Sequence, residues 1–307
     1  MNGLRIRCGL AFVLASIAAR GATEVAQPTH FRADATIVLI GATVVDTHDR
    51  LVRGLRREDF RLFEDKIEQT IRYFGEEEVP LSLAVVFDTS GSMTGKVASM
   101  RGALAAVLAT SNPDDEFCLI AFADHPEVVV PWTSDVAEVQ NGAFSRPAHG
   151  RTALLDAIAV AMRQLRRSRN PRRAMVVFSD GGDNYSRFSE RALVRQLEEA
   201  DVQLYAIDTS EFLSPPDRPA EEVAGPNLLS ELCDHAAGRY FQLSDAHDPE
   251  RVAERVSREL RSQYVLGYSP SNHAEDGKFH RLQLKVERRP GTHLSVRWRH
   301  GYRAPTN

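Results

Sequence analysis

The sequence predicts a doubly wound α/β fold with a mainly parallel sheet, framed before and after by β segments. Three observations carry this. The apolar runs LAVVF, FCLIAF, AMVVF and LYAI are uninterrupted, as strands buried on both faces of a parallel sheet require. Between them the period changes to that of helices: Val97, Met100, Leu104 and Val107 share one face, as do Leu154, Ile158, Met162 and Leu165. Toward the C-terminus, Leu282/Leu284/Val286 and Leu294/Val296/Trp298 alternate with polar residues, the pattern of half-exposed antiparallel strands.

Taken in order, the chain begins with Arg5 and Arg7, then the uncharged stretch CGLAFVLASIAA and the small residues Ala18, Ala19, Gly21 and Ala22. This layout predicts a secretory signal peptide over residues 1–22, and hence an exported protein, periplasmic or extracellular. The apolar stretch is shorter than the ~20 residues that span a bilayer, so no transmembrane segment is expected after its removal; the alternative is a retained N-terminal anchor. Residues 32–79 form an N-terminal β segment with ATIVLIGATVV and DFRLFEDKIEQTIRYF, in which Glu64-Asp65-Lys66 reads as a hairpin turn. GEEEVP is a polar break before the α/β region of residues 80–263. Its last helix starts at an Asp248 cap with Pro249 in the first turn, and buries Val252, Val256 and Leu260. YVLGYSP, FHRLQLKVER and HLSVRWRHGY make a C-terminal β segment over 264–304. Each flank alone has too few strands to bury a core. Because the ends of a compact domain often lie close together, the expectation is one β-sandwich into which the α/β region is inserted.

Composition narrows the function. With 43% hydrophobic and 26% charged residues among 307, the chain is an ordinary globular one. Loss of residues 1–22 removes Arg5, Arg7 and Arg20 and moves the net charge from -4 to -7, which argues against a nucleic-acid partner. Cys8 leaves with the signal segment; Cys118 and Cys233 sit in apolar settings and read as small buried hydrophobes rather than a disulfide scaffold. The six arginines of RQLRRSRNPRR (163–173) read as cations at a helix C-terminus that Pro171 stops, in preference to an anion-binding patch. The ten histidines show no metal-ligand spacing, and His280 and His300 follow the inward parity of their strands, as packed or rim residues.

The chemistry concentrates in FDTSGSMTGK, where a strand ends and a helix begins, the usual ligand position in α/β sheets. A phosphate-binding loop needs four residues between its glycines and a hydroxyl after the lysine; Gly91 and Gly95 enclose three, and Val97 stands at the hydroxyl position. An aspartyl-phosphate enzyme needs a second carboxylate two residues after Asp88, where Ser90 stands. A serine hydrolase would place its serine one position later than Ser92. A metal site fits. Asp88, Ser90 and Ser92 can turn three oxygens inward on one tight loop, and hard oxygen donors select Mg²⁺, Mn²⁺ or Ca²⁺. Met93 reads as packing beneath that loop.

VFDTSGSM resembles the DxSxS motif of von Willebrand factor type A (VWA) domains, the core of their metal-ion-dependent adhesion site (MIDAS). The family also uses a threonine ahead of a later helix and an aspartate at the end of a later strand; HGRTALLDAI supplies Thr152 and MVVFSDGGDN supplies Asp180. The resemblance implies a Rossmann-like VWA domain over 80–263 with Asp88, Ser90, Ser92, Thr152 and Asp180 as ligands. Asp183 and Asp208 are candidates for the rim, Asp183 more as a loop or capping residue than a sixth ligand. The flanks resemble the secreted bacterial VWFA-related family, with Lys66 standing where that hairpin turn commonly has glycine.

The two aspartates only just neutralise a divalent ion, and Mg²⁺, the first expectation, takes six oxygens, so one position is left for water or a partner. The resemblance implies that an acidic residue of a partner protein takes it: a binding module, not an enzyme. The alternatives are an envelope protein whose metal site only stabilises it, and, behind that, a nucleotide- or phosphoester-processing enzyme.

Overall fold

A computed structural model describes residues 37–48, 50–76, 79–209, 220–242, 249–271, 276–287, 293–304 and 306. The expected signal segment, the Asp248 cap and the packing of the Val97 side chain lie outside the described residues.

The first β segment comprises β1 (Val38–Asp46), β2 (Phe60–Glu64), β3 (Ile67–Gln69) and β4 (Ile71–Gly75). The α/β region follows as β5 (Leu81–Asp88), α1 (Val97–Leu108), β6 (Glu116–Phe122), β7 (Pro126–Thr133), α2 (Val136–Phe144) and α3 (Leu154–Leu165). It continues through β8 (Arg172–Ser179), α4 (Glu190–Glu199), β9 (Gln203–Asp208), α5 (Ala220–His235), β10 (Arg239–Gln242) and α6 (Pro249–Arg261). The chain closes with β11 (Tyr264–Tyr268), β12 (Phe279–Val286), β13 (Leu294–Trp298) and β14 (Gly301–Arg303).

The central sheet has the order β10-β9-β8-β5-β6-β7. All its pairings are parallel except β6 with β7. β5 lies in the middle and is buried along its whole length, which is why it reads as an apolar run. The two-residue period of the strand divides its side chains between two cores. Leu83, Val85 and Phe87 pack with α1, α2 and α6 through Met100, Leu104, Val139, Val256 and Leu260. Ala84 and Val86 pack on the other face with α3, α4 and α5 through Ile158, Leu193 and Leu232. Cys118 and Cys233 are free and buried in that second core. β7 was not legible as a sheet strand, and its Pro126 and Pro131 fit the physical reason: proline is tolerated at an edge, where β7 lies.

The flanking segments form two four-stranded sheets, β13-β1-β11-β4 and β14-β12-β2-β3, so each sheet mixes strands from both ends of the chain. Val38, Ile40, Ala42 and Val44 of β1 point into one shared core with Phe60, Leu62, Leu266, Tyr268, Leu282 and Leu284. At the β2–β3 hairpin, Asp65 and Lys66 both have positive φ, 47° and 72°. That is the backbone a two-residue turn needs for its twist to match the strands.

Two expectations need correction. Helix α3 ends at Leu165, well before Pro171, because Arg167 N–H and Ser168 N–H close local turns onto Gln164 and Leu165 carbonyls. Arg172 and Arg173 therefore belong to β8, not to a helix terminus. His300 lies beyond β13, exposed, with Nε2 3.3 Å from the Asp234 carbonyl, so strand parity does not apply to it; His280 is buried.

Candidate metal centre

Asp88 is the last residue of β5, and Asp180 follows the last residue of its parallel neighbour β8. Parallel strands end on the same side, so the sheet itself delivers both carboxylates to one edge. After Asp88 the chain makes a short 3₁₀ turn over Gly91–Met93. Met93 is buried beneath it and accepts the Thr209 hydroxyl at its sulfur at 3.4 Å. The third loop, ahead of α3, is laced to the first: Gly91 N–H donates to the Gly150 carbonyl (3.1 Å) and His149 N–H to the Thr89 carbonyl (2.9 Å). Thr152 is buried; its N–H donates to Asn184 Oδ1 at 3.0 Å, and its carbonyl accepts the N–H groups of Asn184 and Tyr185. The three loops thus meet at one edge of the sheet.

Within them, Asp88 Oδ1 accepts the Ser90 N–H at 2.8 Å and Oδ2 accepts the Ser179 hydroxyl at 2.6 Å. The hydroxyls of Ser90 and Ser92 are 3.1 Å apart. Asp180 Oδ1 accepts the Gly182 N–H at 3.3 Å, and Oδ2 is 3.2 Å from Lys96 Nζ. The Asp180 loop is held by close backbone approach: Gly181, at φ 80°, lies against Gly225 of α5, where a Cβ on either glycine would meet backbone atoms at 2.4 Å. Asp88 is fully buried, and burial followed by the charge of Asp180 pushes its carboxyl up to about 7, against the hydrogen bonds from Ser179 and Ser90. Two buried carboxylates crowded together favour a cation between them. The candidate donor set, carboxylates with the hydroxyls of Ser90, Ser92 and Thr152, is all hard oxygen and fits a hard divalent cation. Ser92 is only half-buried and Gly91 is exposed, so one side of the loop faces outward.

The rim candidates have other employment. Asp183 Oδ1 accepts the Leu155 N–H (3.4 Å) and the Ser186 hydroxyl (2.6 Å), so it caps the start of α3; its carboxyl is raised by burial. Asp208 is completely buried, with Oδ2 accepting the Tyr240 hydroxyl, and is not an open rim residue. Two functional neighbours were missed by sequence reasoning. Ser179 was signalled only by its place before Asp180; Lys96 was signalled by the Gly95-Lys96 pair, but its burial was not legible.

A second titratable cluster lies in the β flanks, where Glu64, Asp65 and His280 bring ligand-type atoms within 4.8 Å of one another and could hold an ion. His280 Nδ1 is 2.8 Å from Asp65 Oδ2 and 3.3 Å from Glu64 Oε1, and Nε2 is 3.3 Å from Asp276 Oδ1. Tyr268 donates to Glu64 Oε2 at 2.7 Å and Tyr302 to Oε1 at 3.3 Å. Burial depresses His280, but hydrogen bonds to Asp65 and Asp276 and the charges of Glu64 and Asp65 prevail and raise it.

Residues 83–182 match the family model described as von Willebrand factor type A domain. Among solved structures, the chain is similar to a von Willebrand factor type A protein from Catenulispora acidiphila, at 13% identity and a TM-score of 0.50, over 90% of this chain and 76% of that one. It is also similar to proximal thread matrix protein 1 from the mussel byssus, at 17% identity and a TM-score of 0.50, over 64% of this chain and 51% of that one. An aerotolerance-related membrane protein from Bacteroides fragilis aligns with a TM-score of 0.46 at 17% identity, over 59% of this chain and 98% of that one. No curated protein matches by sequence. The sheet order and the DxSxS loop agree with that match, and residues 83–182 of this chain are similar to a von Willebrand factor type A domain.

Proposed function

We propose that this protein is an exported, non-catalytic binding module that captures an acidic residue of a partner protein at a divalent-cation site. The cation is Mg²⁺ first, with Mn²⁺ or Ca²⁺ as alternatives, held by Asp88, Ser90, Ser92, Thr152 and Asp180. VWA domains often bind a divalent cation. The observation that supports the reading here is the pairing of two buried carboxylates with the clustered hydroxyls of Ser90 and Ser92 on the outward-facing edge of the sheet.

When bound, a divalent cation supplies a positive centre with a coordination position open to a carboxylate oxygen. The chain's own residues do the rest. Ser179 and the Ser90 N–H fix the rotamer of Asp88 from behind, as outer partners of ligands do. The Gly150 and Thr89 carbonyls lock the loops that carry Ser90, Ser92 and Thr152. The half-buried Ser92 and exposed Gly91 leave that side of the loop open, which supports approach of a partner from there. The all-oxygen donor set of carboxylates and hydroxyls supports the ligand reading. Export rests on the signal-like residues 1–22. Among the described residues, no helix is long and apolar enough to cross a membrane.

Calorimetry with Mg²⁺ and Mn²⁺ on the wild type and Asp88→Ala tests the reading. One saturable site lost in the variant, with no phosphoester or nucleotide turnover, is expected. Turnover abolished by Asp88→Ala would favour the enzyme; a site that binds metal while every partner ignores chelator would leave it a stabilising element.

A further inference from the structure

Lys96 is the one buried residue among the chain's four lysines, Lys66, Lys96, Lys278 and Lys285. Its side chain is 5% exposed and its Nζ lies 3.2 Å from Asp180 Oδ2, itself on a side chain 1% exposed. Two features make the position unusual. Lys96 occupies the N-cap of α1 and makes no capping hydrogen bond, so its charge stands at the positive end of a helix dipole. It is also out of water, where an ammonium is stable only against a paired anion. The placement is set by the backbone: Gly95 at φ 82° turns the chain, and Lys96 N–H donates to the Met93 carbonyl at 2.9 Å as the helix begins.

We infer that Lys96 is a resident counter-cation of the metal centre, holding Asp180 paired and competing with a divalent ion for it. The inference rests on the proposed metal-binding reading. With both carboxyls ionised, as metal binding requires, Asp88 and Asp180 bring two negative charges and Lys96 returns one, so the pocket alone is left one charge short of neutral. A divalent ion added beside an unmoved ammonium would overshoot to one positive charge; with the ammonium displaced from Asp180, the balance is zero. An ammonium has three donors and no lone pair, so it cannot join the ligand set and can only yield its place. Metal affinity is therefore set partly by the release of Lys96, and the site is tuned toward weak, readily reversible loading.

The experiment is a Mn²⁺ titration, followed by electron paramagnetic resonance and calorimetry, of the full chain as wild type, Lys96→Met and Lys96→Gln. Circular dichroism checks the fold, and the glutamine variant keeps a hydrogen-bond donor for Asp180 should the methionine variant fail to fold. Both variants are expected to bind Mn²⁺ at least about tenfold more tightly than the wild type, because the competitor is gone while every ligand remains. Binding by the variants alone, with a silent wild type, supports the inference equally. Wild-type binding with unchanged or weaker affinity in the variants overturns the competition and leaves the metal centre standing. Silence of all three overturns both.

Discussion

The two carboxylate clusters of this molecule are built from the same ingredients and end in opposite states. In the β flanks, Glu64, Asp65 and Asp276 surround His280, and each carboxylate meets N–H or O–H donors from the chain. Asp65 is held low by the Arg281 N–H and His280 against the effect of its partial burial, and Asp276 sits near 2, chiefly through the Lys278 N–H. At the sheet edge, Asp88 is pushed up to about 7 by burial and by Asp180, even with Ser179 and Ser90 donating to it. In the first cluster every carboxylate is met by donors of the chain, and the cluster ties strands together as a strut. The second sets two buried carboxylates against each other, so that burial and the Asp180 charge raise Asp88, which is the condition of a ligand cup. Composition does not separate a strut from a cup; what separates them is how far the carboxylates are buried and how fully the chain's own donors meet them.

Breaking the cup should have the largest effect. Asp88→Ala is expected to abolish detectable Mn²⁺ binding in calorimetry, and Asp180→Ala to weaken it more than Ser90→Ala or Thr152→Ala, which each remove one oxygen but no charge. Ser179→Ala probes support for Asp88 and should lower affinity roughly tenfold, the usual scale for an outer partner of a ligand. None of these should alter the β-flank cluster.

Breaking the strut should lower stability and leave metal affinity alone. His280→Ala leaves buried Glu64 and its neighbours without their cation, and chemical denaturation should show a loss of about 2 kcal/mol. The sign of its pH dependence follows from the raised histidine. Its stabilisation is fully present below the unfolded value of about 6.5 and fades as pH rises through the higher folded value. The stability gap between wild type and His280→Gln should thus narrow on going from pH 6 to alkaline conditions; a widening gap would contradict the assigned histidinium. The smallest effect belongs to the hairpin beside it. Lys66→Gly relieves a residue at φ 72° and should raise stability by about 0.5–1 kcal/mol in the same assay, with no change in metal binding.

Much of this architecture was legible in advance, and the legible part shares one property. LAVVF, FCLIAF, AMVVF and LYAI are buried on both faces as β5, β6, β8 and β9, and a doubly buried strand cannot disguise its composition. The strand of Pro126–Thr133 was not, because an edge strand tolerates proline and mixed polarity. The end of α3 was misplaced because local turns at Arg167 and Ser168 finish the helix without a breaker residue. Of the candidate ligands, Asp88, Ser90 and Ser92 were proposed because one loop carries them at fixed spacing, and Thr152 and Asp180 through the resemblance.

Sequence alone determined the strand–loop–helix that carries DxSxS, the periods of the helices, the alternating flanks and the oxygen-only character of the candidate ligands, since each depends on neighbours within a few residues. The tertiary structure decided that Lys96 enters the site, that Ser179 backs Asp88, that Asp183 caps a helix, and that Asp208 turns inward to Tyr240. It also decided that Glu64, Asp65 and His280 meet across more than two hundred residues of chain. Burial and charge balance are properties of surfaces brought together by folding, and no local pattern in the chain encodes them.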